Sequence, residues 1–425
     1  MSDASATQNG PVLAADGTPL KRSLARALRR QKMRALLLIA PLLLFILVSF
    51  ILPIGDMLYR SVDNKIVQNI LPRTVVALAD WDSKSGDLPS EAVYTALAAD
   101  MKEAAAAKEH TKVGVRLNYE KPGVASAFRK AGRRAKKFDL EAGGPWKETF
   151  LEIDKKWGDT EVWRTIQTYS PPVTAGYFLN AVDMRVGVDG AEMRPERERI
   201  YMALLKRTLW MSLMITGSCI LLAYPVAWLL ANLPVRSANM LMILVLLPFW
   251  TSLLVRTSAW KILLQQQGVI NDLLVWVGLV PDDARLQIIN NQFGTIVAMT
   301  HILLPFMILP MYSVMQTINP SYLRAAKSLG ATNWTAFWRV YFPQTVPGIG
   351  AGSILVFILA IGYYITPALV GGTKGTFISN QIAFHISTSL NWGLAAALGA
   401  ILLVVVLVLY WAYDKIVGID NVKLG

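Results

Sequence analysis

The sequence predicts an all-α integral membrane protein with six transmembrane helices and a large, mainly helical insertion between the first and the second. Three observations carry this. Hydrophobic residues make up 54% of the 425-residue chain and charged residues only 17%. With a mean hydropathy of +0.40, the composition suits a chain whose main solvent is hydrocarbon. Six runs have the roughly 20 mostly apolar residues that a bilayer-crossing helix needs: 35–59, 209–231, 240–264, 293–316, 349–370 and 392–413. Between the first two lies the segment 60–200, which holds 23 of the 42 Lys and Arg residues and is too long to be a simple connector.

The first run follows 34 residues, is longer than the apolar core of a signal peptide and has no small-residue cleavage site after it, so it is read as a retained span. Six spans put both termini on one side. Lys and Arg near span ends favour the cytoplasm. With the N-terminus inside, the cytoplasmic segments hold Lys21, Arg22, Arg26, Arg29, Arg30, Lys32, Arg34, Arg236, Arg324, Lys327, Arg339, Lys415 and Lys423, against only Arg285 and Lys374 in the two short outer loops. Both termini are therefore expected on the cytoplasmic side of a membrane and residues 60–200 on the outer side; the bacterial inner membrane is the location that the resemblance described below implies. Of the net charge of +13, the N-terminal tail contributes +5 (seven basic residues against Asp3 and Asp16), a topology signal that also suits an anionic inner leaflet and explains the charge more simply than a nucleic-acid footprint. Met1 to Leu20 is small and polar and reads as disordered.

Within the insertion, "SEAVYTALAADMKEAAAAKEH" (90–110), "VASAFRKAGRRAKKFDL" (124–140) and "WKETFLEIDKKWGDTEVWRTIQTY" (146–169) read as three helices, the last with Trp146, Phe150, Ile153, Trp157 and Trp163 near helical spacing. The basic cluster Arg129, Lys130, Arg133, Arg134, Lys136 and Lys137 reads as a solvated helix face. Cys219, the single cysteine, falls inside the second span and reads as a buried, inert thiol. His110, His301 and His385 are far apart with no ligand spacing, so neither a metal site nor a nucleophile pair is visible.

"SYLRAAKSLGATNWTAFWRVYFPQTVPG" (321–348) is the most informative stretch on the cytoplasmic side. Asn319-Pro320 stops one helix and starts another. Tyr322 to Leu329 reads as two turns closed by Gly330, the residue suited to a left-handed cap, with Ala325 and Ala326 giving a small-residue surface. A second short amphipathic piece, 334–341, is expected to end before Pro343. Helices under roughly 12 residues are marginal alone, so this knuckle needs support on both faces.

At these positions the chain resembles the membrane subunits of ATP-binding-cassette importers of type I. Their cytoplasmic loop carries Glu-Ala-Ala, three residues, Gly, nine residues, Ile, one residue, Leu-Pro. Ala325, Ala326, Gly330, Val340, Phe342 and Pro343 stand at matching places, and Arg324 stands where the family usually has Glu, reversing a charge. "LLPFWTSLLVRTSAWKILLQQQGVIN", "LLPFMILPMYSVMQTINPSYLRAAKSLGA" and "GYYITPALVGG" look like the polyamine-type branch, the spermidine and putrescine permeases. The resemblance covers the first span and about half the chain from Arg207 on, and leaves the insertion out.

It implies a cytoplasmic tail (1–34), a first transmembrane helix (35–59), the periplasmic insertion (60–200) and a five-helix permease core (201–425) with a coupling loop at 317–348. Arg324, Ala325, Ala326, Lys327, Gly330, Val340, Phe342 and Pro343 would couple to the ATPase. The implied partners are a second homologous permease, two ATPase subunits, a periplasmic solute-binding protein and membrane lipid, with no nucleic acid. No cofactor is expected in this chain; ATP and magnesium belong to the partner ATPase. The chain has no GxxxxGK[ST] loop and so cannot be the motor.

Trp250, Arg256, Tyr363 and Tyr364 are candidates for the translocation path, since a charge within a span marks a cavity or pathway. Arg256 also has a snorkelling alternative, and the tyrosine pair a packing one. The spans hold essentially no carboxylates, so a cationic solute would have to be selected by a binding protein, the partner permease or aromatic faces. The competing class is a secondary transporter or channel uncoupled from any ATPase; against it stand the loop and the absence of paired repeats bearing intramembrane acids.

Overall fold

The computed structural model describes residues 20–141, 143–187 and 190–417; the expectation for Met1 to Leu20, all but its last residue, and that for Lys423 lie outside them. The chain divides into two compact units, Met1–Tyr59 and Arg60–Gly425. In the first, the helix Leu20–Ile46 passes through a π turn, Leu47–Ile51, into Leu52–Arg60. The helix therefore starts well before residue 35 and takes in part of the basic tail. From Leu28 on its apolar side chains are largely exposed, a surface suited to lipid.

Among the described residues, five helices are long and apolar enough to cross a membrane: Leu28–Arg60, Tyr201–Asn232, Gln292–Thr317, Asn333–Gly362 and Trp392–Lys415. The sixth candidate is a broken pair. The run at 240–264, expected as one span, is instead a helix to Leu246, a 3₁₀ turn Leu247–Trp250 and a helix Leu253–Leu263, bent by 95°. Pro248 removes a backbone donor. Thr251 Oγ1 turns back to Pro248 O at 2.9 Å, and Ser252 starts the new helix by accepting the Val255 N–H at 3.3 Å.

Three helices form the core of the second unit. Met211, Ile215, Cys219, Ala223 and Ala227 recur every fourth residue along Tyr201–Asn232, and Met299, Leu303, Met307, Met311 and Met315 do so along Gln292–Thr317; all are buried in one cluster. Two matched rows of this kind are the ridges that helices interlock. The third member, Phe342–Gly362, presents Gly352, where an added Cβ would meet Met307 Sδ at 2.6 Å. That glycine sets the close approach. Cys219 lies inside this core, as its place in the sequence predicts, with its Sγ 3.6 Å from Thr300 O.

Two further expectations change here. The piece at 334–341 does not stop before Pro343: Asn333–Ala336, a π turn at Phe337–Tyr341 and Phe342–Gly362 run on as one helix. The fifth span does not reach 370, because the chain leaves the helix at Tyr363 and makes a separate short helix, Ile365–Val370. Both π turns in the described residues stand immediately before an X-Pro pair, Leu52-Pro53 and Phe342-Pro343. Widening one turn makes room for the proline ring against the preceding carbonyls, so the helix continues instead of ending.

The insertion is mainly helical, as expected, around Tyr94, Phe128, Phe150, Trp157 and Trp163, all fully buried. Its helices are shorter than expected. The 90–110 stretch breaks between Glu91–Ala106 and His110–Asn118, where Lys108 takes a positive φ of 61°. The 146–169 stretch becomes Trp146–Ile153, a 3₁₀ turn Lys155–Gly158 and Thr160–Thr168. Asp154 and Asp159 break it by capping the 3₁₀ turn and the last helix respectively, accepting the Lys156 and Glu161 N–H groups. A small antiparallel hairpin pairs Met184–Gly187 with Gly190–Met193, an element the sequence pattern does not announce. The basic residues of Val124–Ala135 are exposed, as a solvated face requires.

The insertion is joined to the helical core. Tyr177 and Ala181 pack with Tyr201, Leu204, Leu205, Leu394 and Leu398, and Asp183 caps the helix Tyr201–Asn232 by accepting three backbone N–H groups, from Ile200, Tyr201 and Met202, at 2.8 to 3.0 Å.

Candidate coupling loop and translocation path

The knuckle is built by local chemistry at both ends. Asn319 Oδ1 accepts the Ser321 N–H at 2.9 Å, Pro320 takes the first helical position, and the helix runs Pro320–Ser328. At its end Gly330 adopts φ +91°. The Gly330 N–H donates to Lys327 O at 3.0 Å and the Ala331 N–H to Ala326 O at 3.1 Å, the paired bonds of a left-handed C-terminal cap. Thr332 then caps the next helix, accepting the Thr335 N–H at 3.2 Å.

Among the described residues, only one face of the knuckle is held by this chain. Leu323 packs against the core cluster with Phe337 and Tyr341. No residue of Pro320–Ser328 is buried. Arg324, Ala325, Lys327 and Gly330 are exposed and Ala326 is half-buried. Val340 and Phe342 are half-buried at the root of the following helix, while Pro343 is exposed. Phe342 packs against Trp338, ring centroids 4.8 Å apart, and against Tyr224 at 5.9 Å. The sequence-predicted set thus splits into an outward face and a supporting root.

Four apolar residues on this surface fall outside the sequence-predicted set: Tyr322, Trp334, Trp338 and, 88% exposed, Leu329. Trp334 and Trp338 stack edge to face at 5.6 Å. Their spacing of four, about one helical turn, is the signal that points to them.

Of the path candidates, the structure brings Arg256 and Tyr363 into one neighbourhood. Arg256 is half-buried, its Nε has no hydrogen-bond partner, and its charge acts on both His301 and Tyr363. His301 Nδ1 accepts from Trp260 Nε1 at 3.0 Å. Thr257 and Thr366 hydroxyls meet at 3.1 Å, tying Leu253–Leu263 to Ile365–Val370. Trp250 lies on the 3₁₀ turn at the bend, 73% exposed. Tyr364 faces a separate, apolar cavity of about 410 Å³ with Ser379, Ile382 and Leu402. His301 and Trp260 are additions to the candidate path; they lie 41 residues apart, beyond the reach of any local pattern.

The profile of the family described as binding-protein-dependent transport system inner membrane component matches residues 202–417. This chain belongs to that family. It is a permease subunit of an ATP-binding-cassette importer and not an enzyme; ATP is hydrolysed by a separate subunit. It is 36% identical over 222 residues to the spermidine/putrescine transport system permease protein PotB of Salmonella typhimurium (strain SL1344), covering 52% of this chain and 77% of the relative. It is 33% identical over 225 residues to the inner membrane ABC transporter permease protein YdcU of Escherichia coli (strain K12), covering 51% and 71%. A crystal structure of a bacterial ABC transporter involved in the import of the acidic polysaccharide alginate aligns at 21% identity and a TM-score of 0.42, over 65% of this chain and 99% of that one. Family membership rests on the sequence matches. The insertion lies outside the matched residues.

Proposed function

We propose that this permease forms half of a translocation pathway completed by a second homologous permease, with two ATPase subunits gripping the cytoplasmic side and a solute-binding protein delivering the solute outside. The six apolar stretches, the broken pair counted as one, cross the bacterial inner membrane with both termini cytoplasmic. Residues 60–200 then form a periplasmic domain, placed where a loaded binding protein docks. ATP and magnesium act in the ATPase.

The observation that carries this reading is the half-supported knuckle. A nine-residue helix capped at both ends, held on one side by Leu323 and unburied elsewhere, is too short to be stable unaided and is completed by a second surface. Arg324 and Lys327 give that surface a preference for acidic groups. ATP-driven closure of the two ATPase subunits would move the knuckles and, through the continuous helix Asn333–Gly362, rock the spans.

The solute is a small amine, a polyamine or a related organic compound, supported by the PotB relatives. Co-purification from membranes of cells expressing the whole transport operon tests the assembly: the expected complex has this chain, a distinct permease and two ATPase copies, and its ATP hydrolysis rises with loaded binding protein. An active transporter containing this chain alone would overturn the reading.

A further inference from the structure

At the junction between the insertion and the last candidate span lies a cavity of about 380 Å³. Its wall carries Arg60, Lys112 and Arg116 against one acid, Asp63; beside the wall Glu109 pairs with Lys112 at 2.7 Å and Lys65 with Asp63 at 3.9 Å, which leaves basic groups in excess. Arg116 is the built-in part of that wall. It is 2% exposed, lies over the rings of Tyr169 and Tyr177 at 4.7 and 4.4 Å, and is fixed by Asn64 Oδ1 at 2.8 Å and Glu120 Oε1 at 3.0 Å. Among the described residues its Nη2 has no hydrogen-bond partner. Glu120 does not neutralise the cluster, because its other oxygen already takes Asn180 at 3.0 Å and a second guanidinium, Arg194, at 3.4 Å. The field in the cavity favours an anion.

The place of the cavity and its rim identify the anion further. Arg60 is the last residue of the apolar helix Leu28–Arg60, and Trp392 is the first of the candidate span Trp392–Lys415. The wall is therefore made in part by residues at the ends of two candidate spans, with Tyr119, Tyr177 and Trp392 around it, the residue types that settle at a membrane–water boundary. The mouth is apolar and open: Ile66, Val115, Leu390 and Trp392 line it and are 39%, 45%, 60% and 42% exposed. A small hydrated anion has no use for such a rim. A ligand with a phosphate at one end and acyl chains at the other uses both parts.

We infer that this cavity binds a phosphate group, and that its source is the headgroup of an anionic phospholipid seated at the foot of the insertion. Bound there, the lipid would bridge the insertion, through Lys112 and Arg116, to the loop before the last span, through Leu390 and Trp392. This stands apart from the path and from the knuckle.

The test uses the full chain in its purified complex, delipidated in detergent, with phosphatidylglycerol, phosphatidylcholine or inorganic phosphate added back. Bound lipid is counted by native mass spectrometry, and Tm is followed in the same samples. Phosphatidylglycerol is expected to stay bound and raise Tm, and phosphatidylcholine to do neither. Lys112→Gln, at an exposed position, is expected to weaken phosphatidylglycerol binding roughly fivefold, the effect of one basic residue near an anionic headgroup. Arg60→Glu with Lys112→Glu should weaken it by at least about tenfold. If that double variant does not fold, the Lys112→Gln titration decides alone. Equal retention of the two lipids, or unchanged binding by Lys112→Gln, would overturn the proposal. Protection by inorganic phosphate equal to that by phosphatidylglycerol would overturn the lipid source and leave a free-anion site.

Discussion

The ring of Tyr177 crowds the space that a side chain at Gly393 would need: a Cβ built there would clash with Tyr177 Cζ and Cε2. The contact joins the insertion to the first turn of the helix Trp392–Val417, and Tyr119 repeats the link by donating to Ser389 O at 2.7 Å. Gly393→Ala is therefore expected to cost about 1–3 kcal/mol by overpacking, read as a lowered Tm. Tyr177→Ala in the same chain should relieve the clash, so the double variant should lose less than the two single losses added together. Simple additivity would mean that the two residues do not share this space.

Asp183 predicts a second consequence of the same junction. It is 2% exposed, and its two oxygens take the N–H groups of Ile200, Tyr201 and Met202, donors that a helix start leaves without partners. Asp183→Ala should destabilise the chain by about 1–2 kcal/mol and Asp183→Asn by less, since the amide keeps one acceptor. Deleting 63–188 removes this cap as well as the insertion. A deletion meant to test binding-protein docking should therefore keep Asp183 and the packing of Tyr177.

His385 gives the junction a dependence on pH. Its Nε2 meets the Tyr201 hydroxyl at 2.9 Å and its Nδ1 meets Ser389 Oγ at 2.7 Å, and burial holds its pKa below the ordinary 6.5. The neutral ring is the folded form. A base whose folded pKa is depressed leaves the unfolded chain holding more protons in that window, so stability rises with pH there. Its contribution is full above 6.5 and is lost as pH falls through the folded value beneath it. Thermal unfolding between about pH 8 and pH 5 should show a falling Tm, and His385→Gln should flatten the part of that fall due to this residue.

Much of this was legible in the sequence, and the exceptions share a cause. The knuckle could be read because its boundaries are one-residue chemistry: Asn319 and Pro320 start it and Gly330 ends it. Gln292–Thr317 could be read from composition alone and fell within a residue of expectation at each end. The break at Pro248 could not be read from the proline, because Pro225, Pro305 and Pro310 lie inside unbroken helices. What differs is the following Thr251-Ser252 pair, which turns back and caps, whereas Pro305 and Pro310 are flanked by buried Leu303, Met307 and Met311 that hold the helix in the core. In the insertion Asp154 and Asp159 break the 146–169 stretch by capping, which the aromatic spacing alone does not show. The Arg256, Trp260 and His301 grouping needed the fold, since two helices distant in the chain supply it.

Gly330 separates the two ways in which the knuckle can fail. A Cβ there would meet nothing within 4 Å, and the backbone stands at φ +91°, so within this chain a substitution brings strain without a clash. Gly330→Ala should cost about 1–3 kcal/mol, borne by the cap and hardly by the core, leaving Tm of the isolated permease nearly unchanged while ATPase coupling falls. Gly330→Asn should be milder, because asparagine tolerates the left-handed region. Gly330→Asp adds a carboxylate beside Arg324 and Lys327 on the face proposed to meet acidic groups, and should lose the most. Single cysteines at Ser321, Arg324 and Ser328, in a Cys219→Ser background, should be open to a soluble maleimide in the permease alone and shielded once the ATPase is bound. Equal labelling with and without the ATPase, together with normal transport by Gly330→Asp, would remove the coupling role from Pro320–Ser328 and leave the exposed pair Trp334 and Trp338 as the next surface to test.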